Sequence, residues 1–109
     1  FVKTYDFLLW LIPLTLKYPK SQRFLLAEKT SQIALDFYNL ILEGALKRSN
    51  EVGFIVDADL LLTTLRLYSR LGFDLKCISM SQYEFASRSL DEIGRLLGGW
   101  KRRSQKQPV

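Results

Sequence analysis

The chain has 109 residues, of which 48% are hydrophobic and 25% are charged, as in an ordinary single globular domain. It has no histidine and only one cysteine, which excludes a Cys/His zinc site, Ser-His or Cys-His catalysis and a disulfide framework within the chain. The net charge is +5, and residues 101–109 hold four cations and no acid, so the first hundred residues carry +5 − 4 = +1.

A basic C-terminal end on a nearly neutral body favours a polyanion or an acidic protein as partner. A second interpretation stays open, in which these cations complement the negative end of a helix dipole. The longest apolar-rich run, residues 7–16, is interrupted by Pro13, whereas a membrane-spanning helix needs about 20 residues. The lone cysteine suits a reducing compartment, so we expect a cytoplasmic protein that does not bind a membrane.

The first helix is predicted from Val2 to Tyr18, because the proline at position 19 disfavours helical geometry in the residue before it. Pro13 lies inside this helix and predicts a kink. Its apolar stripe consists of Tyr5, Leu8, Leu9, Ile12 and Leu16.

The second helix is predicted from Gln22 to Lys47, with Ser21 as its N-cap. It has two adjacent apolar stripes, which predicts neighbours on two sides, one of which could be another subunit. The stripes are Leu26, Thr30, Ile33, Phe37, Leu40 and Gly44, and beside them Ala34, Tyr38, Ile41 and Ala45.

The polar residues 47–51 are predicted to form a loop, after which a third helix begins between Asn50 and Asp57 and ends near Asp74. In the fourth helix, Ser79 and Gln82 have the spacing of a capping box. The predicted core line of the third helix is Ala58, Leu61, Leu65, Tyr68 and Gly72, flanked by Leu60, Leu67, Leu71 and Leu75. The stripe of the fourth helix is Tyr83, Ala86, Leu90, Ile93, Leu97 and Trp100.

No segment alternates at period two for long enough to be a strand. Four helices with short links predict an all-α fold, an up-down-up-down antiparallel four-helix bundle. We expect the bundle to cover residues 1–103 and residues 104–109 to form a flexible basic tail.

Catalytic groupings are poorly supported. Asp57 and Asp59 point in different directions on a helix, and there is no glycine-rich phosphate loop. Two i,i+4 pairs on the fourth helix, Arg88 with Glu92 and Asp91 with Arg95, predict surface ion pairs. We therefore expect no catalytic residue, no metal and no cofactor.

The arginines of the last two helices are the more informative feature. Arg88, Arg95 and Arg102 recur every seven residues and share one face, and Arg66 and Arg70 lie one turn apart. Each is suited to a phosphate or an acidic partner. The alternative is that these arginines serve solubility and pair within the chain. An example is Arg66 with Asp59, which lie in one line along the same helix through Thr63.

Gly94 and Gly98 predict either a close helix approach or a loosened helix end. Trp100 is interpreted as a core or interface anchor, with a base-stacking platform as the alternative. The aromatic residues exceed what one four-helix core needs, so part of this surface is expected to be buried between subunits.

Three stretches together resemble one known family: WLIPLTLKYPKSQRF, LLTTLRLYSRL and SMSQYEFASRSLDEIGRLLGGWKRR. From about Tyr5 to Arg103 the chain is similar to the Avd proteins, the accessory variability determinants of diversity-generating retroelements. These are related to four-helix proteins encoded in bacterial ribosomal-RNA intervening sequences.

The resemblance implies a four-helix bundle that forms a homopentamer with a positive surface and has no active site. It implies a reverse transcriptase and RNA or DNA as partners, in a complex that performs mutagenic retrohoming. The alternative is an intervening-sequence-type bundle with a structural or protein-interaction role and no nucleic-acid binding. The basic positions that match for binding nucleic acid or polymerase are Lys20, Arg23, Arg66, Arg70, Arg88, Arg95, Lys101, Arg102 and Arg103.

Overall fold

The computed structural model describes residues 1–47 and 51–106, and within these ranges it contains helices and no strand. The molecule measures 50 × 23 × 20 Å, so the helices lie along one long axis. The all-α prediction is confirmed. The four helices are α1 (Val2–Thr15), α2 (residues 20–47), α3 (Glu51–Asp74) and α4 (Met80–Lys106).

Neighbouring helices run antiparallel. At one end of the bundle, Gly44 near the end of α2 lies against Phe54 near the start of α3 and Trp100 near the end of α4. At the other end, Tyr18, just after α1, lies against Gly72 near the end of α3. Helix α1 packs on α2 and α4, and α3 packs on the same two helices. The predicted up-down-up-down four-helix bundle is therefore confirmed.

Helix α2 is not a regular α-helix at its start. An α-helical turn, Lys20–Gln22, leads into a π-helical segment, Arg23–Ala27, and then into the α-helix Glu28–Lys47. The N-cap is Pro19, so the prediction of Ser21 as N-cap is wrong by two positions.

The first helix also ends earlier than predicted, at Thr15 instead of Tyr18. The backbone amides of Lys17 and Tyr18 bond to the carbonyls three residues before them, at 3.0 and 3.2 Å, which forms a tight turn in place of another α-helical turn. This turn brings the chain to Pro19 with Tyr18 buried beneath it.

The buried core draws on all four helices. A smaller cluster of Tyr18, Leu26, Ala27 and Ile78 closes the end at the α1–α2 and α3–α4 turns. The main cluster consists of Phe7, Leu8, Leu11, Ala34, Phe37, Ile41, Ile55, Ala58, Leu62, Leu65, Ala86, Leu90, Ile93 and Leu97.

The predicted inward stripe of α1 is wrong for most of its members. Tyr5, Leu9 and Leu16 are exposed, and Ile12 is half-buried. The face that packs inward holds Thr4, Phe7, Leu8, Leu11 and Thr15. Both faces of this helix are apolar, so periodicity did not separate them. The Thr15 hydroxyl donates to the Ile12 carbonyl at 2.7 Å, which satisfies the polar group of this buried side chain.

The core lines of the other helices are confirmed in large part. In α3, Ala58, Leu65 and Gly72 are buried, whereas Leu61 and Tyr68 are only half-buried. The α3 residues buried but not predicted are Ile55, Leu62 and Ser69. In α4, the predicted stripe is buried from Ala86 to Leu97 and half-buried at its two ends.

The predicted capping box at the start of α4 is present. The Gln82 backbone amide donates to the Ser79 hydroxyl at 3.2 Å, and the Ser79 amide donates to the Gln82 side-chain oxygen at 2.8 Å. Two amides that an α-helix start leaves without partners are thereby bonded. The same helix continues through Lys106, beyond the predicted bundle boundary at Arg103. The predicted loop residues 48–50 and the tail residues 107–109 lie outside the described residues, and a flexible tail stays a prediction.

Gly44→Ala is expected to destabilise the bundle, because the added carbon would lie 2.9 Å from Phe54 Cβ, an atom fixed by the backbone. Crowding of this kind costs about 1–3 kcal/mol, against a gain of up to about 1 kcal/mol in helix propensity. Urea denaturation followed by circular dichroism measures the free energy of unfolding. Gly98→Ala is the control, since its added carbon would meet only Arg102 Nη1 at 3.6 Å and should stabilise by about 0.5–1 kcal/mol. Equal effects of the two substitutions would contradict the close α2–α3 approach.

Candidate nucleic-acid interface

The two adjacent carboxylates in the middle of α4 pair with neighbouring helices instead of with the arginines of α4 itself. Glu92 Oε1 accepts from Lys3 Nζ of α1 at 2.7 Å, and Asp91 accepts from Arg66 of α3. The predicted i,i+4 pairs of these two carboxylates with the arginines at positions 88 and 95 are therefore wrong. So is the alternative pairing of Arg66 with Asp59. The Lys3 hydrogen bond lowers the pKa of Glu92 below its usual value and raises the pKa of Lys3.

Gly94 gives Arg66 its place against α4. A carbon added at Gly94 would lie 2.9 Å from Arg66 Nη2 and 3.3 Å from a methyl carbon of Leu62. The same Nη2 donates to the Leu90 carbonyl at 3.2 Å. The close approach predicted from the glycine spacing thus exists at Gly94, between α4 and side chains of α3. At Gly98 only an α4 side chain, that of Arg102, is near.

Arg88, Arg95 and Arg102 form an exposed row along α4, which we call the arginine row. At 1.5 Å per residue their Cα atoms follow one another at about 10 Å. Within the described part of the chain, no carboxylate forms a salt bridge with any of the three. The arginine row therefore keeps its donors for groups outside the protomer.

Two members of the arginine row border a groove between α3 and α4. Its volume is about 460 Å³. Three arginines and two aspartates line it, and one arginine–aspartate pair among them is neutralised by the Arg66–Asp91 bond. The charged lining residues are Asp59, Arg66, Asp91, Arg95 and Arg102.

The other predicted basic positions lie on separate surfaces. Arg70 donates to its own-helix neighbour Asp74 at 3.1 Å, and this hydrogen bond raises the pKa of Arg70. Lys20 and Arg23 lie at the start of α2, where Arg23 Nε donates to the Tyr18 carbonyl at 3.2 Å. Lys101 and Arg103 occupy the last turns of α4, at the opposite end of the bundle.

Trp100 belongs to the bundle. Its indole Nε1 donates to the Glu51 carboxylate at the start of α3, and its ring lies beside Gly44 of α2. The side chain is half-buried. The indole therefore ties together the ends of three helices, which supports the anchor interpretation over a base-stacking platform.

Two potential nucleophiles in the described part of the chain, Tyr18 and Cys77, are not activated. Burial raises the pKa of Tyr18 to about 12 and also raises the pKa of the Cys77 thiol, so both stay protonated near neutral pH. Residues 1–47 and 51–106 contain no cluster of three potential metal ligands among His, Cys, Asp and Glu. None of the helices in those ranges combines the length and apolar character needed to cross a bilayer.

Large apolar side chains stand exposed along two flanks of the bundle. Tyr5 of α1 and Tyr38 of α2 contact each other on the first flank, with ring centroids 6.3 Å apart. The flank of α1 and α2 consists of Val2, Tyr5, Leu9, Leu35, Leu42 and Leu46, and that of α3 consists of Val56, Leu60, Leu67 and Leu71. Several large apolar side chains exposed along the same helices are typical of a protein interface.

The salt bridges between helices are the part of the site that sequence reasoning missed. Lys3 was not among the predicted functional residues, yet it forms the salt bridge with Glu92 that was predicted for an arginine of α4. No spacing along one helix signals such a pair, because its two members are far apart in the chain. Only the helix order, α1 beside α4, brings them together.

A family model described as bAvd-like matches residues 2–104. The match runs from the first residue of α1 into the last turns of α4, and it confirms the resemblance inferred from the sequence. A search of curated proteins finds no match.

Trp100→Ala is expected to lower the free energy of unfolding by about 3 kcal/mol, the lower end for loss of a packed tryptophan, because the ring is half-buried. Trp100→Phe is the matched control: it keeps a ring against Gly44 and loses the bond to Glu51, which should cost about 1 kcal/mol. Urea denaturation measures both. A loss under about 1 kcal/mol for the alanine variant would reopen the stacking role.

Proposed function

Since the chain belongs to the bAvd-like family, we propose that it is the non-catalytic accessory protein of a diversity-generating retroelement. In this role it binds the reverse transcriptase and its template RNA or cDNA and so supports mutagenic retrohoming in the cytoplasm. The family match makes it an Avd-type accessory protein. The chemistry of cDNA synthesis lies with the polymerase.

The arginine row carries the nucleic-acid part of the proposal. Three exposed guanidinium groups follow one helix face, and no carboxylate of the described chain forms a salt bridge with them. Guanidinium is suited to phosphate because its planar donors bind two oxygens at once. Contacts of this kind hold the backbone without reading bases, as an accessory protein for many template sequences requires.

Self-association strengthens a surface of this size. One protomer offers few contacts, and its body is nearly neutral. A homopentamer would repeat the arginine row five times, and linked sites bind more tightly than separate ones. The exposed apolar flanks on α1–α2 and on α3 are two different surfaces, as a ring requires, because each subunit then presents one surface to each neighbour.

The near-neutral body favours the second candidate, an intervening-sequence-type bundle that assembles or contacts proteins without binding nucleic acid. Its body charge of +1 gives little long-range attraction for a polyanion. The two candidates differ in one measurable property, the dependence of RNA binding on salt.

Replacing the arginine row by Arg88→Gln, Arg95→Gln and Arg102→Gln is expected to weaken binding to labelled single-stranded RNA about tenfold or more. The three lost phosphate contacts should also reduce the slope of log K against log salt by about 2 per protomer. Fluorescence anisotropy between about 50 and 200 mM salt measures both quantities.

The control for this experiment removes the same charge from cations that have partners. The variant Lys3→Gln, Lys47→Gln and Arg70→Gln loses three cations that pair with Glu92, Glu43 and Asp74. Its salt slope should change much less than that of the arginine-row variant. Equal effects of the two triple variants would show that net charge, not the arginine row, governs binding. RNA binding that is absent, or insensitive to salt, would favour the second candidate.

Light scattering coupled to size exclusion should give a mass of about 64 kDa, since one chain has 12.7 kDa and five copies are expected. Leu60→Ser with Leu67→Ser should shift this mass toward the protomer, because both side chains are more than 60% exposed on the α3 flank. A wild-type mass of 12.7 kDa would contradict the assembly.

A further inference from the structure

Three of the most exposed apolar side chains in the described chain gather at the α1–α2 turn. Leu16 is 71% exposed, Phe24 is 79% exposed and Leu25 is 68% exposed. We call these three residues the apolar tip. It lies at the end of the bundle where α1 stops and α2 starts.

The apolar tip stands on an ordered base. Phe24 and Leu25 lie in the π-helical segment Arg23–Ala27, whose last two residues, Leu26 and Ala27, are buried. A buried Thr30 hydroxyl donates to the Leu26 carbonyl at 2.7 Å. The segment therefore turns two side chains inward and holds the two before them outward. Single π-helical turns are rare in proteins and occur frequently at functional sites.

The chain segment that forms the apolar tip is positively charged. Between Asp6 and Glu28 the sequence has no acidic residue and three cations, Lys17, Lys20 and Arg23. All three are exposed, and within the described ranges none of them forms a salt bridge. The apolar tip thus lies in a stretch of chain, residues 7–27, whose only charged side chains are these three cations.

We propose that the apolar tip is the docking point for a protein partner that presents an apolar pocket edged by carboxylates. The inference rests on the proposed function, in which that partner is the reverse transcriptase. Leu16, Phe24 and Leu25 fill the pocket, and the three cations face the carboxylates. Interfaces of this form place their affinity in a few buried apolar anchors, while rim charges set the rate and orientation of association.

Nucleic acid fits the apolar tip less well than protein. Two of its three side chains are leucines, which gain from burial against carbon but offer no ring on which a base can stack. The arginine row, the surface suited to phosphate, lies on α4, whereas two of the three residues of the apolar tip lie on α2. Two surfaces of different chemistry on different helices fit two different partners.

The test is the double variant Phe24→Ser with Leu25→Ser, measured by biolayer interferometry against the purified reverse transcriptase of the retroelement. Both side chains are more than two-thirds exposed, so the bundle should fold unchanged. We expect affinity for the polymerase to fall about 100-fold, with an unchanged assembly mass and unchanged RNA binding. Leu75→Ser with Met80→Ser is the matched control, since it removes two exposed apolar side chains from the α3–α4 turn at the same end of the bundle.

A second variant tests two of the three cations. Lys17→Glu with Lys20→Glu should slow association with the polymerase about tenfold at low salt and have little effect on dissociation. An unchanged association rate would contradict the carboxylate-edged pocket.

The remaining outcomes are decisive as well. Polymerase binding that survives the loss of Phe24 and Leu25 overturns the docking point and leaves the proposed function intact. A wild-type protein that does not bind the polymerase overturns both. A fall in assembly mass would make the apolar tip a contact between copies, and a selective fall in RNA binding would make it a nucleic-acid contact. Either result overturns the proposal.

Discussion

The ion pairs that link α4 to its two neighbours determine what the surface of the bundle can do. Lys3 of α1 binds Glu92, and Arg66 of α3 binds Asp91, so both carboxylates in the middle of α4 are engaged from outside the helix. Exposed pairs contribute little to stability, typically below about 1 kcal/mol. Their consequence here is that they determine which arginines of α4 remain unpaired within the described part of the chain. Each carboxylate that bonds to a neighbouring helix leaves an arginine of its own helix without that partner, which accounts for two of the three members of the arginine row.

This redistribution explains how a protein with a nearly neutral body can present a basic face. Net charge describes the far field, whereas a phosphate at contact distance responds to the few groups beside it. The two acids in the middle of the fourth helix bond to the first and third helices, and the arginine row is left without a salt bridge to a carboxylate of the described chain. Gly94 contributes to the same separation, because the absence of a side chain lets Arg66 lie close enough to reach Asp91 and the Leu90 carbonyl.

The fold was predictable from sequence where one face of a helix differs clearly from the other. Helix α4 has one apolar face and one charged face, and its core residues and capping box were predicted correctly from the sequence. Helix α1 is apolar on both faces, so its inward face could not be predicted from the sequence. Tyr5 and Leu9, predicted to lie inside, are exposed. The arginine row was visible as a seven-residue spacing. That the row forms no salt bridge with a carboxylate of the described chain was not visible in the sequence. An i,i+4 spacing permits such a pair, but contacts with the neighbouring helices decide whether it forms.

Assembly and nucleic-acid binding are coupled in the proposed function. The apolar flanks of α1–α2 and α3 are exposed in one protomer, so association would bury them and release the water that they order. An RNA that spans the arginine rows of several copies binds the assembly better than the protomer, and it therefore stabilises the assembly by the same free energy. Three phosphate contacts per chain are then sufficient, since the strength comes from repetition. The apolar tip consists of residues that belong to neither flank, so the polymerase site proposed there is separate from the proposed subunit contacts.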